Sequence, residues 1–232
     1  MAGSELFIKG GHVVDPVAGI DGCRNILVKD GKISAISSDI KASAGARVID
    51  ATNKYVIPGL IDCHVHLREP GYEYKETVET GSKAAAKGGF TTLICEPNTK
   101  PPIDSLEMVN LLMDCVRRKG VVNIYTKACI TKGLLGEELT DINKLATDKR
   151  VRALSDDGHP VFYEALMKGA CELAAKNRMV VSPHCEDSHL SLDMAKTNSQ
   201  AANFPGEAYC HETDFIIREI KCAEQAKGWL HI

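Results

Sequence analysis

The sequence predicts an α/β fold that follows a small β domain. From residue 56 onward, β-rich and helix-forming segments alternate about every 30 residues, which is the spacing of parallel βαβ units. Residues 5–57 contain instead short β-rich runs separated by turns with glycine or aspartate. We therefore expect a β domain over residues 1–55 and an α/β domain over residues 56–232.

The N-terminal domain is predicted to be a small antiparallel layer. Its β-rich runs lie close together along the chain, and Asp30-Gly31 separates two of them. Aspartate followed by glycine is a strong hairpin signal, because both central residues of a tight turn must tolerate a positive φ. The β-rich runs are Leu6–Ile8, Val13–Val14, Ile26–Val28 and Ile33–Ile36.

The α/β part contains five predicted strand–helix pairs and the beginning of a sixth strand. Asp104, with Glu107 three residues later, predicts a capping box at the start of one helix. Three cations at 117–119 followed by Gly120 predict its end. The predicted strands are residues 56–61, 90–94, 121–130, 151–155, 179–182 and 229–232, and the predicted helices are residues 77–87, 104–119, 137–147, 162–177 and 211–227.

Composition and charge narrow the class of protein. Hydrophobic residues make up 44% of the chain and charged residues 25%, which is typical of a globular protein. The net charge of -3 does not indicate a nucleic-acid-binding surface. The chain contains neither an apolar run of the ~20 residues needed to cross a membrane nor a signal-peptide pattern at its start. We expect a cytoplasmic protein without nucleic-acid or membrane partners.

The cysteines also indicate a reducing compartment. There are nine of them, an odd number, and they are scattered without a C-x-x-C pair. A secreted disulfide scaffold would be shorter and evenly paired. We therefore expect most of the cysteines to be buried free thiols that behave as small apolar residues.

Chemically active side chains occur where the predicted strands end, which is where the active sites of parallel α/β folds lie. The first strand leads to His64 and His66, whose spacing puts both imidazoles on one face and within reach of one metal ion. The fourth strand leads to Asp156 and Asp157, and the fifth leads to His184. Taken alone, an aspartate there can merely cap the next helix, and a single histidine can be structural.

Together these strand ends predict a two-metal hydrolytic site. Histidine and carboxylate ligands without a cysteine pair favour a catalytic zinc over a structural one. Asp156 and Asp157 point to opposite faces if the strand continues, so only one of them can face the metals. Their spacing alone does not decide which one does.

Three motifs resemble the dihydroorotases of the amidohydrolase superfamily. They are Asp62–Gly71, which reads DCHVHLREPG, Glu96–Thr99, which reads EPNT, and Asp156–Gly158, which reads DDG. The resemblance covers the whole chain, and the first motif is highly specific. It implies a TIM-type (β/α)8 barrel with a small N-terminal β domain. It also implies zinc-dependent, reversible hydrolysis of dihydroorotate to N-carbamoyl-aspartate, a step of pyrimidine biosynthesis.

The resemblance also implies a role for individual residues. His64 and His66 match ligands of one zinc ion, Asp157 matches the carboxylate that bridges two zinc ions, and His184 matches a ligand of the second ion. The resemblance assigns the substrate carboxylate to Arg68 and Asn98. A guanidinium suits that role because it makes bidentate hydrogen bonds to a carboxylate. His159 matches no ligand and is expected to be a loop residue.

Part of the expected active site does not occur in this sequence. A closed barrel typically needs about 250 residues, whereas residues 56–232 provide five βα units and the start of a sixth strand. The resemblance places a further histidine ligand and the catalytic aspartate beyond Ile232, and it matches His231 to a histidine that binds no metal. We therefore expect no catalytic acid in this chain, and negligible turnover by the chain alone.

Two alternatives remain open at this stage. The first is an allantoinase or hydantoinase, since these cyclic amidohydrolases share the H-x-H motif but typically lack the arginine of the Arg68–Gly71 segment. The second is a non-catalytic relative that acts as a scaffold, for example for aspartate transcarbamoylase. Such scaffolds usually lose metal ligands, and the four expected in this span are present. Expected partners are the small-molecule substrate, a second copy in a homodimer, and aspartate transcarbamoylase.

Overall fold

The computed structural model describes residues 5–186 and 212–232, which group into two compact units, Met1–Gly59 and Leu60–Ile232. The boundary falls after Pro58-Gly59, a dipeptide that interrupts the β-rich segment from Tyr55 to Ile61. Val56, which the sequence places in the first strand of the α/β part, pairs instead with Val13 in the sheet of the first unit.

The first unit is a five-stranded sheet of mixed direction. Strand β1 pairs with β2 and β2 pairs with β3 in antiparallel fashion, and Asp30-Gly31 forms the predicted turn with a positive φ at both residues. The prediction of a purely antiparallel layer is wrong, because β4 and β5 both pair with β1 in parallel. The strands are β1 (Glu5–Asp15), β2 (Ile20–Lys29), β3 (Lys32–Ser37), β4 (Arg47–Asp50) and β5 (Tyr55–Val56).

The second unit is built on a parallel sheet of six strands in the order β11-β10-β9-β8-β7-β6. Its strands are β6 (Leu60–Val65), β7 (Phe90–Cys95), β8 (Asn123–Ala128), β9 (Val151–Leu154), β10 (Val180–Val181) and β11 (Trp229–Leu230). Each strand pairs with the one before it in sequence, which is the order of a TIM-type barrel. The fold predicted for this part is confirmed as five βα units and a sixth strand.

Helices connect these strands and cover the sheet with apolar side chains. They are α1 (Val78–Lys87), α2 (Leu106–Lys119), α3 (Ile142–Leu145), α4 (Glu164–Lys176) and α5 (Glu212–Ala226). Helices α2 and α4 each bury four residues in the core that they share with the strands, Val109, Leu112, Met113 and Cys115 from α2 and Met167, Ala170, Cys171 and Ala174 from α4. His211, the predicted first residue of α5, lies outside the described residues. Within the described residues, no helix is long and apolar enough to cross a membrane.

Two predicted helix starts are wrong. The N-cap of α2 is Ser105, whose hydroxyl accepts a hydrogen bond from Met108 N, so the capping box of Asp104 and Glu107 does not form. Asp104 instead accepts a hydrogen bond from Gly133 N. Helix α3 is far shorter than residues 137–147, because residues 138–140 pair with the loop after β8: Lys132 N donates to Glu138 O, and Thr140 N donates to Ile130 O.

The cysteines of the described residues are free thiols, as predicted. Six of these eight are buried, and burial raises the pKa of Cys95 to about 11 and that of Cys171 to about 12. Thiols with such pKa values stay protonated and unreactive near neutral pH. They therefore serve as small apolar side chains of the core. Cys210 lies outside the described residues.

Candidate metal centre

The carboxyl ends of the strands bring three potential metal ligands together. His64 lies in β6, His66 follows that strand, and Asp157 lies beyond the end of β9. One ligand atom from each residue lies within 4.8 Å of the other two. The two histidines share a face because side chains alternate along a strand. Strand ends that are separated by more than 90 residues in the sequence (66 to 157) thus meet at one point.

The distances within this cluster fit a shared cation. His64 Nε2 lies 3.3 Å from Asp157 Oδ1, and His66 Nε2 lies 3.6 Å from Asp157 Oδ2. Zinc binds such atoms at about 2.0–2.2 Å in a tetrahedral arrangement, which places two ligand atoms about 3.3–3.6 Å apart. The spacing and the donor types therefore suit a divalent metal without rearrangement of the backbone.

The two neighbouring aspartates face different surroundings. Asp156 is buried, and its carboxylate accepts hydrogen bonds from Ile130 N (2.7 Å), Thr131 N (3.1 Å) and the Thr131 hydroxyl. Burial raises the pKa of Asp156 to about 6, although these hydrogen bonds act in the opposite direction. Asp156 therefore holds the loop after β8, and Asp157 is the aspartate that faces the histidines.

His184 follows β10 and lies beside Asp157, slightly further away than His64 and His66. Its Nδ1 is 3.8 Å from Asp157 Oδ1, and its Nε2 is 3.1 Å from Glu186 Oε2. His64, Asp157 and His184 line one cavity of about 320 Å³, and His231 lines the same cavity. His159 is exposed, and its backbone N–H donates to Asp156 O in the loop after β9. The cavity is large enough for a small molecule beside the cluster.

Asn98 connects two of the potential ligands. Its Oδ1 lies 3.1 Å from His66 Nδ1, and its Nδ2 donates a hydrogen bond to Asp157 Oδ2 (2.6 Å). Both ends of the amide are therefore engaged with the cluster. These contacts make Asn98 a residue that orients His66 and Asp157, beyond the role in substrate binding that the sequence predicts.

Arg68 lies two residues beyond His66, in a loop that packs closely against the loop containing Lys100. It is half-buried, its φ is 60°, and within residues 5–186 and 212–232 its side chain has neither a hydrogen bond nor an ion pair. Lys100 N donates to Pro70 O, and a Cβ on Gly71 would lie 2.0 Å from Lys100 O. Only glycine allows this approach of the two loops. The guanidinium is thus carried by a fixed backbone and is available to an anion.

Sequence reasoning missed a buried ion pair next to His64. Lys127, in β8, lies with its Nζ 2.5 Å from Glu96 Oε1, and the same oxygen is 3.3 Å from His64 Nδ1. Burial raises the pKa of Glu96, and the charge of Lys127 opposes this shift. The sequence does contain a signal for this pair, because Lys127 lies inside a predicted strand rather than at its end.

The protonation of His64 also suits metal binding. Partial burial lowers the pKa of His64, Lys127 lowers it further, and the carboxylate of Asp157 acts in the opposite direction. The net lowering favours the neutral imidazole near pH 7. Neutral imidazole is the form that can donate a lone pair to a metal ion.

Comparisons with known proteins show which family this chain resembles. Residues 53–232 match the family described as Dihydro-orotase-like. The chain is 43% identical to a dihydroorotase of Ruminiclostridium cellulolyticum, with 98% of this chain and 54% of the relative covered. It is 41% identical to a dihydroorotase of Anaeromyxobacter dehalogenans, with 98% and 53% covered. The chain thus spans about half the length of these relatives.

Solved structures of hydantoinases have the same fold. The L-hydantoinase of Arthrobacter aurescens superposes with a TM-score of 0.78 at 22% identity, covering 97% of this chain and 51% of the other. The D-hydantoinase of a Thermus species gives a TM-score of 0.71 at 26% identity, with the same coverage. The extent of the family match and the identity to the dihydroorotases together decide the classification: the chain belongs to the dihydro-orotase-like family.

Proposed function

We propose that the protein is a dihydroorotase, a metal-dependent enzyme that interconverts dihydroorotate and N-carbamoyl-aspartate in pyrimidine biosynthesis. The observation that carries this proposal is the identity of 40–43% to dihydroorotases over 98% of the chain. The hydantoinases, at 22–26% identity, are more distant. The guanidinium of Arg68, which has no ion pair within the described residues, further supports a substrate that carries a carboxylate.

The proposed metal ligands are His64, His66, Asp157 and His184, and the proposed metal is zinc, with two ions per site. Nitrogen and oxygen donors without thiolate favour zinc in a catalytic site. A bound ion of this type supplies a hydroxide near neutral pH and polarises the carbonyl under attack. Arg68 would bind the substrate carboxylate, while Asn98 would hold His66 and Asp157 and contribute to substrate binding. The acid that protonates the leaving nitrogen is proposed to lie beyond Ile232.

We further propose a small β domain before the barrel and a cytosolic location. A homodimer and an association with aspartate transcarbamoylase are also predicted, and size-exclusion chromatography and co-purification would test them. The scaffold alternative is less favoured, because the described residues retain a cluster of three potential ligands.

Turnover by purified full-length protein tests the function directly. Dihydroorotate, allantoin and a 5-substituted hydantoin are offered in separate assays with added zinc. We expect turnover of dihydroorotate that exceeds the other two by orders of magnitude. Robust hydrolysis of allantoin or hydantoin, with none of dihydroorotate, would contradict the proposal.

The role of Arg68 is tested by Arg68→Ala in the same protein. We expect binding of dihydroorotate to weaken by roughly 2–5 kcal/mol, as when one partner of a buried charge pair is removed, while zinc content stays unchanged. Arg117→Ala, on the exposed side of α2, is the control and should alter neither. A large loss of zinc in Arg68→Ala would show that the arginine is structural.

A further inference from the structure

Behind His64 lies a buried polar network that the roles assigned above do not include. Glu96 follows β7, Lys127 lies in β8, and Ser182 follows β10, so residues from three strands of the sheet contribute to it. Lys127 Nζ lies 2.5 Å from Glu96 Oε1 and donates to Ser182 Oγ at 2.8 Å. The side chains of Glu96 and Lys127 are 0% and 2% exposed.

A gain in fold stability does not readily explain why these two charged residues are buried together. Removing two charges from water costs about as much as their attraction returns, so apolar side chains of similar volume often replace a buried ion pair without loss. Within the described residues neither oxygen of Glu96 has a fully formed hydrogen bond, so the carboxylate makes close polar contacts with Lys127 and His64 instead. A carboxylate in this position therefore calls for a partner outside the pair.

Two such partners are the side chain of Ser155 and the ring of His64, and only His64 belongs to the metal cluster. Its Nδ1 lies 3.3 Å from Glu96 Oε1, while its Nε2 lies 3.3 Å from Asp157 Oδ1. The two nitrogens of the ring thus face two different carboxylates. An ionised carboxylate can only accept a hydrogen bond, so Nδ1 must carry the hydrogen when Glu96 is its partner. The lone pair is then on Nε2, which faces the metal cluster.

We propose that Glu96 is a positioning residue that fixes the tautomer and the orientation of His64 for metal binding. Lys127 supplies the countercharge that keeps Glu96 in place, and Ser182 fixes the ammonium group of Lys127. A carboxylate that accepts the second ring hydrogen of a ligand histidine is a recurrent feature of metal sites. This inference rests on the metal site of the proposed function, but it does not depend on the identity of the substrate.

Paired substitutions test the proposal, because a single change would leave one buried charge without its partner. Glu96→Leu with Lys127→Met removes both charges and the acceptor for His64. Glu96→Gln with Lys127→Met removes both charges but keeps an acceptor oxygen. Asp148→Leu with Arg150→Met changes another ion pair of the same unit, whose atoms are also 2.5 Å apart, and serves as the control.

Two measurements on full-length protein decide between positioning and a purely structural role. The first is the ¹⁵N chemical shifts of the His64 ring in metal-free protein, which report the tautomer. The second is zinc affinity from competition with a chelator. We expect the hydrogen on Nδ1 in the wild type and in the glutamine variant. In the leucine variant we expect a mixture of tautomers and zinc affinity lower by about 10–100-fold, with the control pair at wild-type values.

Each result either supports or overturns the proposal. Hydrogen on Nε2 of His64 in the wild type overturns it whether or not any variant folds. If the variant with Glu96→Leu and Lys127→Met folds and has the wild-type tautomer and zinc affinity, the positioning role is also overturned. The ion pair would then have only a structural role. Because the tautomer is read without metal, failure to turn over dihydroorotate contradicts the proposed function alone.

Discussion

Single residues of the metal centre owe their roles to the atoms that surround them. Asn98 is the clearest case, because its amide joins His66 to Asp157 through both of its polar atoms. Asp156 is another, since three donors from the loop after β8 occupy a carboxylate that spacing alone does not distinguish from that of Asp157. Side-chain chemistry alone assigns neither role.

The contacts of Asn98 predict a defect in metal binding. Asn98→Leu keeps the branched shape of the side chain but leaves His66 Nδ1 and Asp157 Oδ2 without their partner, so we expect zinc affinity to fall by about 10–100-fold. Chelator competition measures it. Asn123→Leu is the control, because Asn123 is the first residue of β8 and the metal cluster lies at the opposite, carboxyl ends of the strands. An Asn98→Leu protein with normal zinc affinity and a raised KM would limit Asn98 to substrate binding.

At the level of elements, the loop that carries Arg68 is clamped between two helices. Glu69 is buried, and its carboxylate accepts hydrogen bonds from Val78 N at the start of α1 and from Lys119 Nζ at the end of α2. Burial alone would raise the pKa of Glu69, but the hydrogen bonds from Lys119 and Val78 lower it overall from the usual 4.5. The clamp therefore requires the ionised carboxylate.

This clamp predicts a pH-dependent contribution to stability. Glu69→Gln should lower the free energy of unfolding by about 1–3 kcal/mol near pH 7, because it weakens a charged hydrogen bond. The pKa of Glu69 is depressed in the folded state, so its contribution is present above pH 4.5 and is lost as the pH falls through the folded-state value.

Urea unfolding at several pH values measures this difference between wild type and variant. Glu79→Gln, which breaks an exposed pair with Lys83 in α1, is the matched control and should cost little at any pH. A wild-type advantage over Glu69→Gln that stays constant below pH 4.5 would contradict the assignment.

For the whole molecule, the metal centre joins strands that are distant in sequence. His64 and His66 belong to the first βα unit of the barrel and Asp157 to the fourth. Such a set of ligands exists only when the sheet is formed, so metal binds the folded state far better than the unfolded chain. Binding to the folded state alone raises its stability.

Metal removal should therefore lower the thermal unfolding midpoint of full-length protein. Stabilisation by a ligand at 100 times its Kd is about 2.7 kcal/mol, and calorimetry with and without a chelator measures the shift. His64→Asn should lose most of this response. His12→Asn, in the first unit, should keep it. If metal removal shifted the unfolding midpoint equally in both variants, the metal would not be bound by His64.

The sequence predicted the strands of the barrel well because each is a short β-rich run between clear helix caps and glycine stops. The prediction failed where a segment distant in sequence forms the hydrogen bonds that a local helix or cap would have formed. Asp104 looks like an N-cap, but it bonds to Gly133 in another loop, so Ser105 caps α2 instead. Residues 138–140 look helical, but they pair with the loop after β8. Local pattern carries no information about such partners.

The sequence by itself determined the order of the βα units and the positions of His64, His66, Asp157 and His184 at strand ends, because period and motif are local properties of the chain. Tertiary structure decided that Asp157 rather than Asp156 faces the histidines and that Asn98 joins two potential ligands. It also decided that Glu96 and Lys127 form a buried pair against His64. The physical reason is that hydrogen bonds and ion pairs depend on distances of a few ångströms between residues far apart in sequence, and only the folded sheet sets those distances.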